Sequence, residues 1–402
     1  MEPVRDAQRS WALLGISFAL VMIDGYDLFI VSFVAPLIAK DLHLNFVNIG
    51  SIFAAGLAGS MVGGLLLGYI ADRVGRRPIL LVSLALVGIS TLICSLAHSF
   101  AAFVTLRFVA GFALGGLLAA IVPLVAEHFA PRQRSVAVTV MFIGYPLGAV
   151  VGGAITAALI GYGWRNLFLG AGAVTLLLVP IAYFLRETLY MPDAPIDSQA
   201  NLPRSSLMAL FTEGRSWITI AASLAIFCLL LVTYLLNSWT PVIAAKSGFN
   251  PQEAAWCGVL LNLGGVIGAL SSTLLVARFG VFKVVTSMIA GGSLAVALLG
   301  YLFGSVGALY SGLVVIGLLV IGGQQNSPAI SAQLYPQHMR GMGVGWQFAA
   351  GRFGSILGPI IGGRLLAANV SVQLLFMLIA IPTLMSAGAY TVVGMLRQKQ
   401  LS

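Results

Sequence analysis

The sequence predicts an all-α membrane protein of twelve transmembrane helices arranged as two six-helix halves. Three observations lead there. Of 402 residues, 59% are hydrophobic and 8% charged, with a mean hydropathy of +1.01, which leaves too little polar surface to cover a water-soluble globule. The apolar residues fall into twelve runs, each close to the about 20 helical residues that cross about 30 Å of hydrocarbon. One long polar connection divides the twelve runs six and six.

The first span, Trp11 to Ile38, carries two carboxylates, Asp24 and Asp27, inside an otherwise apolar run. A charge at membrane depth costs about 2.5–3.5 kcal/mol on insertion scales, so it persists where it faces a cavity or a partner. Spans two and three, Val47 to Ile70 and Pro78 to Ala97, flank the charged loop Gly68-Tyr69-Ile70-Ala71-Asp72-Arg73-Val74-Gly75-Arg76-Arg77. Span four, Ala101 to Val125, holds Arg107, and span five, Val136 to Ile160, has glycines at 144, 148 and 152. Small residues at every fourth position let helix backbones approach closely. Span six runs from Trp164 to Leu185. Residues 186–216, with Pro192, Pro195 and Pro203, read as a linker, giving an N-terminal half 1–185 and a C-terminal half 217–402.

Span seven, Trp217 to Ala244, ends in Asn237-Ser238-Trp239-Thr240-Pro241; spans eight and nine are Glu253 to Ala277 and Lys283 to Phe303. Span ten, Val306 to Gln333, contains Gln324-Gln325-Asn326, three adjacent amides that are out of place facing lipid. Span eleven, Gly341 to Leu366, carries Arg352 together with glycines at 354, 358 and 362, the spacing found in span five; span twelve is Val370 to Leu396.

Basic residues orient the chain. With the N-terminus in the cytoplasm, fifteen Lys and Arg lie inside, four (Lys40, Arg165, Lys246, Arg364) outside, and two (Arg107, Arg352) within spans. The positive-inside rule therefore puts both termini in the cytoplasm of a multi-pass protein of the cell inner membrane. The net charge of +9 follows from this bias and implies anionic lipid as a partner, not nucleic acid, since no basic cluster with interleaved aromatics exists. Cys94, Cys228 and Cys257 fall inside spans and read as buried thiols. The four His, at 43, 98, 128 and 338, lie in or beside loops. Neither a Ser-His pair nor a metal-ligand set occurs at membrane depth, so an enzyme is not expected, and no metal site or catalytic residue is assigned. The Gly-x-x-x-x-Gly-Lys-Ser/Thr phosphate loop is lacking as well. No cofactor is expected, with protons as the coupling ion.

The halves echo each other, a mark of transporters built from repeats. The loop after span two is answered after span eight by Leu275-Val276-Ala277-Arg278-Phe279-Gly280-Val281-Phe282-Lys283, which keeps Arg and Gly and lacks the Asp. Glu127 to Arg134 after span four is answered by Leu334 to Gly341 after span ten. On these loops and the six-plus-six layout, the chain resembles the major facilitator superfamily over essentially its whole length. Within it, Asp24-Gly25-Tyr26-Asp27, Arg107, Asn237-Ser238-Trp239-Thr240-Pro241 and Gly351-Arg352-Phe353-Gly354 resemble the aromatic acid:proton symporter family. The end of span six, Leu185-Arg186-Glu187-Thr188-Leu189, departs from the Pro-Glu-Ser of many relatives.

Asp24 and Asp27, three residues apart, share one helical face with Cβ atoms about 5–6 Å apart. Two carboxylates in a low-dielectric cavity resist ionising together, which makes the pair a candidate proton carrier, with Asp27 preferred because Asp24 lies deeper. Arg107 offers a guanidinium fork to Asp27 or to a substrate carboxylate. Arg352 has no acidic residue within any span of its own half, so its counter-charge comes from the first half or from a bound anion; it is the leading substrate ligand. Tyr26, Tyr145, Tyr234, Asn237 and Trp239, with Gln324, Gln325, Asn326, Trp346 and Gln347, are the groups suited to a hydroxylated ring. Asp72, Arg73, Arg76 and Arg77, with Glu127 and Arg134, sit where the resemblance implies conformational switching, and physically they suit a charge latch between helix ends. The expected protein is a monomeric, proton-coupled importer of a small organic anion by alternating access. The resemblance implies an aromatic carboxylate of hydroxybenzoate or phenylpropionate type; a dicarboxylate or a sugar is the alternative.

Overall fold

The computed structural model describes residues 2–130, 133–184, 207–212, 215–336 and 339–401, which form helices and short connections with no strand among them. In the first half these are α1 (Glu2–Asp41), α2 (Phe46–Val74), α3 (Arg76–Cys94), α4 (Phe100–His128), α5 (Arg134–Leu159) and α6 (Trp164–Tyr183). The second half has α7 (Ser216–Lys246), α8 (Pro251–Phe279) and α9 (Val281–Leu299), then a broken span of α10 (Val306–Ile316), α11 (Gly322–Gln324) and α12 (Ser327–Leu334), and finally α13 (Arg340–Ala367) and α14 (Val372–Leu401). Among the described residues, eleven spans are long and apolar enough to cross a membrane, the broken one taken as one. The twelfth, α13, has the length but is diluted by Gln347, Arg352 and many glycines.

Local signals set the joints. Asn45 caps α2, its side chain accepting the Asn48 N–H at 2.8 Å. Asn250 and Glu253 form a reciprocal capping box at α8, with Pro251 in the first turn. The α2–α3 and α8–α9 turns each pivot on a glycine at positive φ, Gly75 at 108° and Gly280 at 85°, so the two repeated loops share one backbone geometry. Of the expected linker, residues 186–206 and 213–214 lie outside the described residues, as do Pro131, Arg132, Gln337 and His338 of the second repeated loop pair. The far end of the linker, Leu207–Phe211, is a 3₁₀ turn seated on α7: Leu210 is buried and its carbonyl accepts the Thr219 hydroxyl at 2.7 Å.

Span ten departs from the continuous helix expected over Val306 to Gln333. A π turn at Gly317–Ile321 and a non-helical pair at Gln325 and Asn326 interrupt it. Extra residues in the i→i−4 ladder account for such a break, and α8 presses against it: a Cβ on Gly317 would lie 2.0 Å from the Leu261 carbonyl oxygen.

The glycine stripes pack in the same way in both halves. Cβ atoms at 144, 148 and 152 of α5 would meet Phe18, Met22 and Tyr26 of α1; at 354, 358 and 362 of α13 they would meet Phe227, Leu231 and Trp239 of α7. At Gly148 the added Cβ would sit 1.9 Å from the Met22 carbonyl oxygen. Gly148→Ala is therefore expected to lower stability by about 1–3 kcal/mol, the usual cost of overpacking. Gly170→Ala on α6, with nothing within 4 Å, serves as the neutral control. Equal thermal midpoints for the two variants in detergent would show that the α1–α5 approach is not tight.

The halves meet through α1 with α7 and α8, α2 with α13, and α5 with α8. The Ser32 hydroxyl donates to the carbonyls of Asn237 and Ser238, and Trp239, fully buried, donates its indole N–H to the Pro359 carbonyl at 2.9 Å while Phe46 and Phe53 meet it edge-on. These contacts lie at the end of the bundle away from the chain termini.

Candidate functional site

Membrane-depth charges gather in two groups. In the first, Asp27 on α1 and Arg107 on α4, 3% and 4% exposed, form an ion pair with Nη1 to Oδ2 at 3.2 Å. Thr91 of α3 closes the group: its hydroxyl donates to Asp27 Oδ1 at 2.5 Å and accepts from Arg107 Nη2 at 2.9 Å. A hydroxyl does both through a single oxygen. The Phe168 ring centroid lies 5.2 Å from the guanidinium carbon. Beside the pair is a cavity of about 20 Å³ bounded by Asp27, Phe53, Gly56 and Arg107, roughly the room that one water needs. Thr91 was not singled out from the sequence, because a lone threonine in an apolar span carries no motif.

The second group joins the halves. Asp24, 3% exposed, has Oδ2 buried without a hydrogen-bond partner among the described residues. Arg352 on α13 donates to the Ser60 hydroxyl of α2 at 3.3 Å and, among the described residues, has no carboxylate within 4.0 Å. Gly351 beside it packs against Leu230 of α7, one turn before Tyr234. Tyr145 on α5 and Tyr234 on α7 bring their hydroxyls to 3.3 Å, with the Phe29 ring 5.9 Å from one and 6.3 Å from the other. Gly25 makes this possible: a Cβ there would lie 2.0 Å from the Tyr145 carbonyl oxygen, so glycine lets α5 bring Tyr145 against the Asp24–Asp27 turn. The preference for Asp27 over Asp24 as the mobile acid thus meets a geometry in which Asp27 is fully partnered and Asp24 is not.

The other candidates are dispersed. Tyr26 lays its ring over Gly152 and hydrogen-bonds Thr156 at 3.0 Å, tying α1 to α5. Asn237 accepts from the Asn262 amide at 2.8 Å and donates to the Thr233 carbonyl, and Trp239 belongs to the closure between the halves. In the amide triplet, Gln324 is half-buried with Oε1 unpartnered, Gln325 is exposed, and Asn326 donates to Ser272 at 2.8 Å. Trp346 and Gln347 both reach the Ser223 hydroxyl, at 3.0 and 3.4 Å, and the Trp346 ring meets Phe211 edge-on, so they hold the linker end against the second half.

The charged loop knits the terminal end of the first half. Arg76 pairs with Glu127 of α4 and, at 3.8 Å, with Asp72. Arg77 donates to the Tyr183 carbonyl of α6 and lies over that ring; Arg73 lies over Tyr69; Arg134 Nε donates to the Phe129 carbonyl at 3.1 Å. Each of these contacts stays within the first half. A cleft of about 1020 Å³ is a surface groove at the opposite end near Lys40, Tyr162 and Asn250, away from both buried charge groups.

A six-plus-six helix layout with paired glycine stripes, a repeated glycine-pivoted loop and an uncompensated arginine between the halves invites comparison with known proteins. A family model described as Major Facilitator Superfamily matches residues 17–326 and 222–399. The chain belongs to the Major Facilitator Superfamily. This facilitator is a membrane transporter and not an enzyme. It is 30% identical to the gallate transporter of Pseudomonas putida, over 95% of this chain and 91% of that one. To the 3-(3-hydroxy-phenyl)propionate transporter of Escherichia coli it is 31% identical, over 91% and 89%, and to the benzoate transport protein of Acinetobacter baylyi 29%, over 93% and 87%. Among solved structures, an inward-facing, unoccupied bacterial homolog of the human lysosomal transporter Spinster superposes with a TM-score of 0.76 at 16% identity, over 97% and 98% of the two chains. A D-xylose-proton symporter does so at 0.74 and 16%, over 93% and 97%. At those identities the likeness is one of fold.

Proposed function

We propose that this facilitator imports a small aromatic carboxylate together with a proton by alternating access, its halves 1–185 and 217–402 rocking about the central charges as a monomer. The observation that carries this reading is two groups without partners among the described residues: an arginine of the second half with no carboxylate within 4.0 Å, and a buried carboxylate of the first half with a bare oxygen. The aromatic-acid names of the relatives support the substrate class.

Charge balance supplies the coupling. Empty, Arg352 and ionised Asp24 sum to zero. When a substrate carboxylate takes Arg352, the group returns to zero only if Asp24 carries a proton. Moving an unbalanced charge through the desolvated middle of the protein is expensive, so the two neutral forms are the ones that reorient. The Asp27–Arg107–Thr91 group stays neutral throughout and serves as the fixed abutment against which α1 sits.

The closure of the halves at the end away from the termini fits a protein open toward the cytoplasm, with both termini there and the chain in the inner membrane. An impermeant thiol reagent added to intact cells is then expected to label Gly161→Cys, in the exposed α5–α6 connection. Labelling only after the membrane is permeabilised would reverse the orientation.

Counterflow in proteoliposomes loaded with 4-hydroxybenzoate tests the substrate class. External labelled aromatic acids are expected to exchange, whereas succinate and glucose are not. Exchange of the dicarboxylate or the sugar alone would reject the aromatic reading.

A further inference from the structure

We propose that the Tyr145–Tyr234 hydroxyl pair is a specificity subsite that reads a ring hydroxyl of the substrate while Arg352 holds its carboxylate. The inference rests on the aromatic-acid reading above and adds which aromatic acids are favoured.

Each phenol offers one donor and two acceptor lone pairs. Among the described residues, the only hydrogen bond of either hydroxyl is to the other. Its 3.3 Å length is well beyond the usual O–H···O distance of about 2.7–2.8 Å, so little is lost when another hydroxyl replaces it. Most lone pairs of the two groups, and one of their two protons, are therefore unspent. Phe29 lies beside both rings, and Gly351, next to Arg352, packs against Leu230, one turn before Tyr234 on α7, so a flat ring held at Arg352 by its carboxylate would meet an apolar wall and a polar far edge. The separation of carboxylate and hydroxyl is fixed by a rigid ring. The Gly25 contact with the Tyr145 backbone likewise sets the position of Tyr145 relative to Asp24. Because Tyr145 belongs to the first half and Tyr234 to the second, an inserted hydroxyl takes over the bond between them and bridges the halves itself.

The size of the preference follows from the self-pairing. A site that leaves buried groups unpaired rejects the analogue lacking a hydroxyl by about 10⁴–10⁵. Here the two tyrosines satisfy each other when no hydroxyl is present, so only the net value of a hydrogen bond is at stake, a preference of about tenfold.

The test is proton-driven uptake of benzoate and of 3- and 4-hydroxybenzoate into proteoliposomes by the wild type, by Tyr145→Phe and Tyr234→Phe singly, and by the double variant. The wild type is expected to favour at least one hydroxybenzoate over benzoate by about tenfold in kcat/KM and the double variant to bring that ratio close to one, whereas either single change, which leaves one unpaired hydroxyl for the ring to meet, should keep or raise it. The single variants, on different helices, also show whether either position is needed for folding. A ratio unmoved in the double variant, or parallel losses for all three acids, would overturn the subsite and leave the aromatic-acid reading intact. A wild type that takes up none of the three acids would overturn that reading and the subsite with it.

Discussion

Arg352→Ala is expected to abolish tight binding of the substrate anion while the protein still folds. The guanidinium has one hydrogen bond, to Ser60 at 3.3 Å, and no ion pair among the described residues, so its removal strands no buried carboxylate that depends on it for a hydrogen bond. A charged donor is worth about 1.5–3 kcal/mol to a bound carboxylate, against about 1 kcal/mol for a neutral hydrogen bond, so affinity should fall by about ten- to a hundredfold. Arg352→Lys keeps the charge but loses the planar fork, and an intermediate loss is expected. The decisive comparison is acid against the matching amide, for instance benzoate against benzamide as inhibitors. Wild type should discriminate strongly and Arg352→Ala hardly at all. A folded Arg352→Ala that still prefers the acid as the wild type does would move the anion site elsewhere.

The second large effect is on stability and falls on the other carboxylate. Asp27→Asn leaves Arg107, 4% exposed, without its counter-charge, and breaking a buried pair in this way costs about 3–5 kcal/mol. Asp24→Asn removes a carboxylate already lacking a partner at Oδ2 and is expected to be close to neutral for stability. The order reverses for function: Asp24→Asn should lose accumulation driven by a proton gradient while retaining exchange. Thermal unfolding in detergent separates the two variants. Equal midpoints would mean that the Asp27–Arg107 pair is not the structural abutment described here. A double change of Asp27→Asn with Arg107→Gln should recover much of the loss, since no uncompensated charge remains.

The charged residues of the site were conspicuous in the sequence because the membrane makes them so: Asp24, Asp27, Arg107 and Arg352 stand alone in apolar runs, and hydropathy alone isolates them. The glycine stripes were legible for a similar reason, since a four-residue spacing states that a neighbouring backbone approaches, though not which one; the structure supplies α1 for α5 and α7 for α13. What periodicity could not resolve was the difference in surroundings between the two aspartates. A three-residue separation puts both on one face, and the asymmetry comes from Thr91 and Arg107, residues 64 and 80 positions away in the chain. Nor could it tell a polar group that faces a cavity from one that faces another helix, because both are sheltered from lipid. Trp239, Trp346 and Gln347 have the chemistry of ligands and in this structure spend it on Pro359, Ser223 and Tyr335. The break in span ten was hidden because hydropathy is blind to a π turn, although Gly317, Gly322 and Gly323 stand beside it.

On the proposed coupling, a neutral complex of Arg352, substrate carboxylate and protonated Asp24 is what crosses the membrane barrier. It is tested in proteoliposomes that start with equal concentrations of 4-hydroxybenzoate inside and out, labelled outside only, with an inwardly directed proton gradient and the membrane potential clamped at zero. The wild type is expected to accumulate the acid above its external concentration, with internal acidification that depends on the substrate, and Asp24→Asn to exchange label without accumulating. Accumulation by Asp24→Asn equal to the wild type, or uptake by the wild type that ignores the proton gradient, would contradict it.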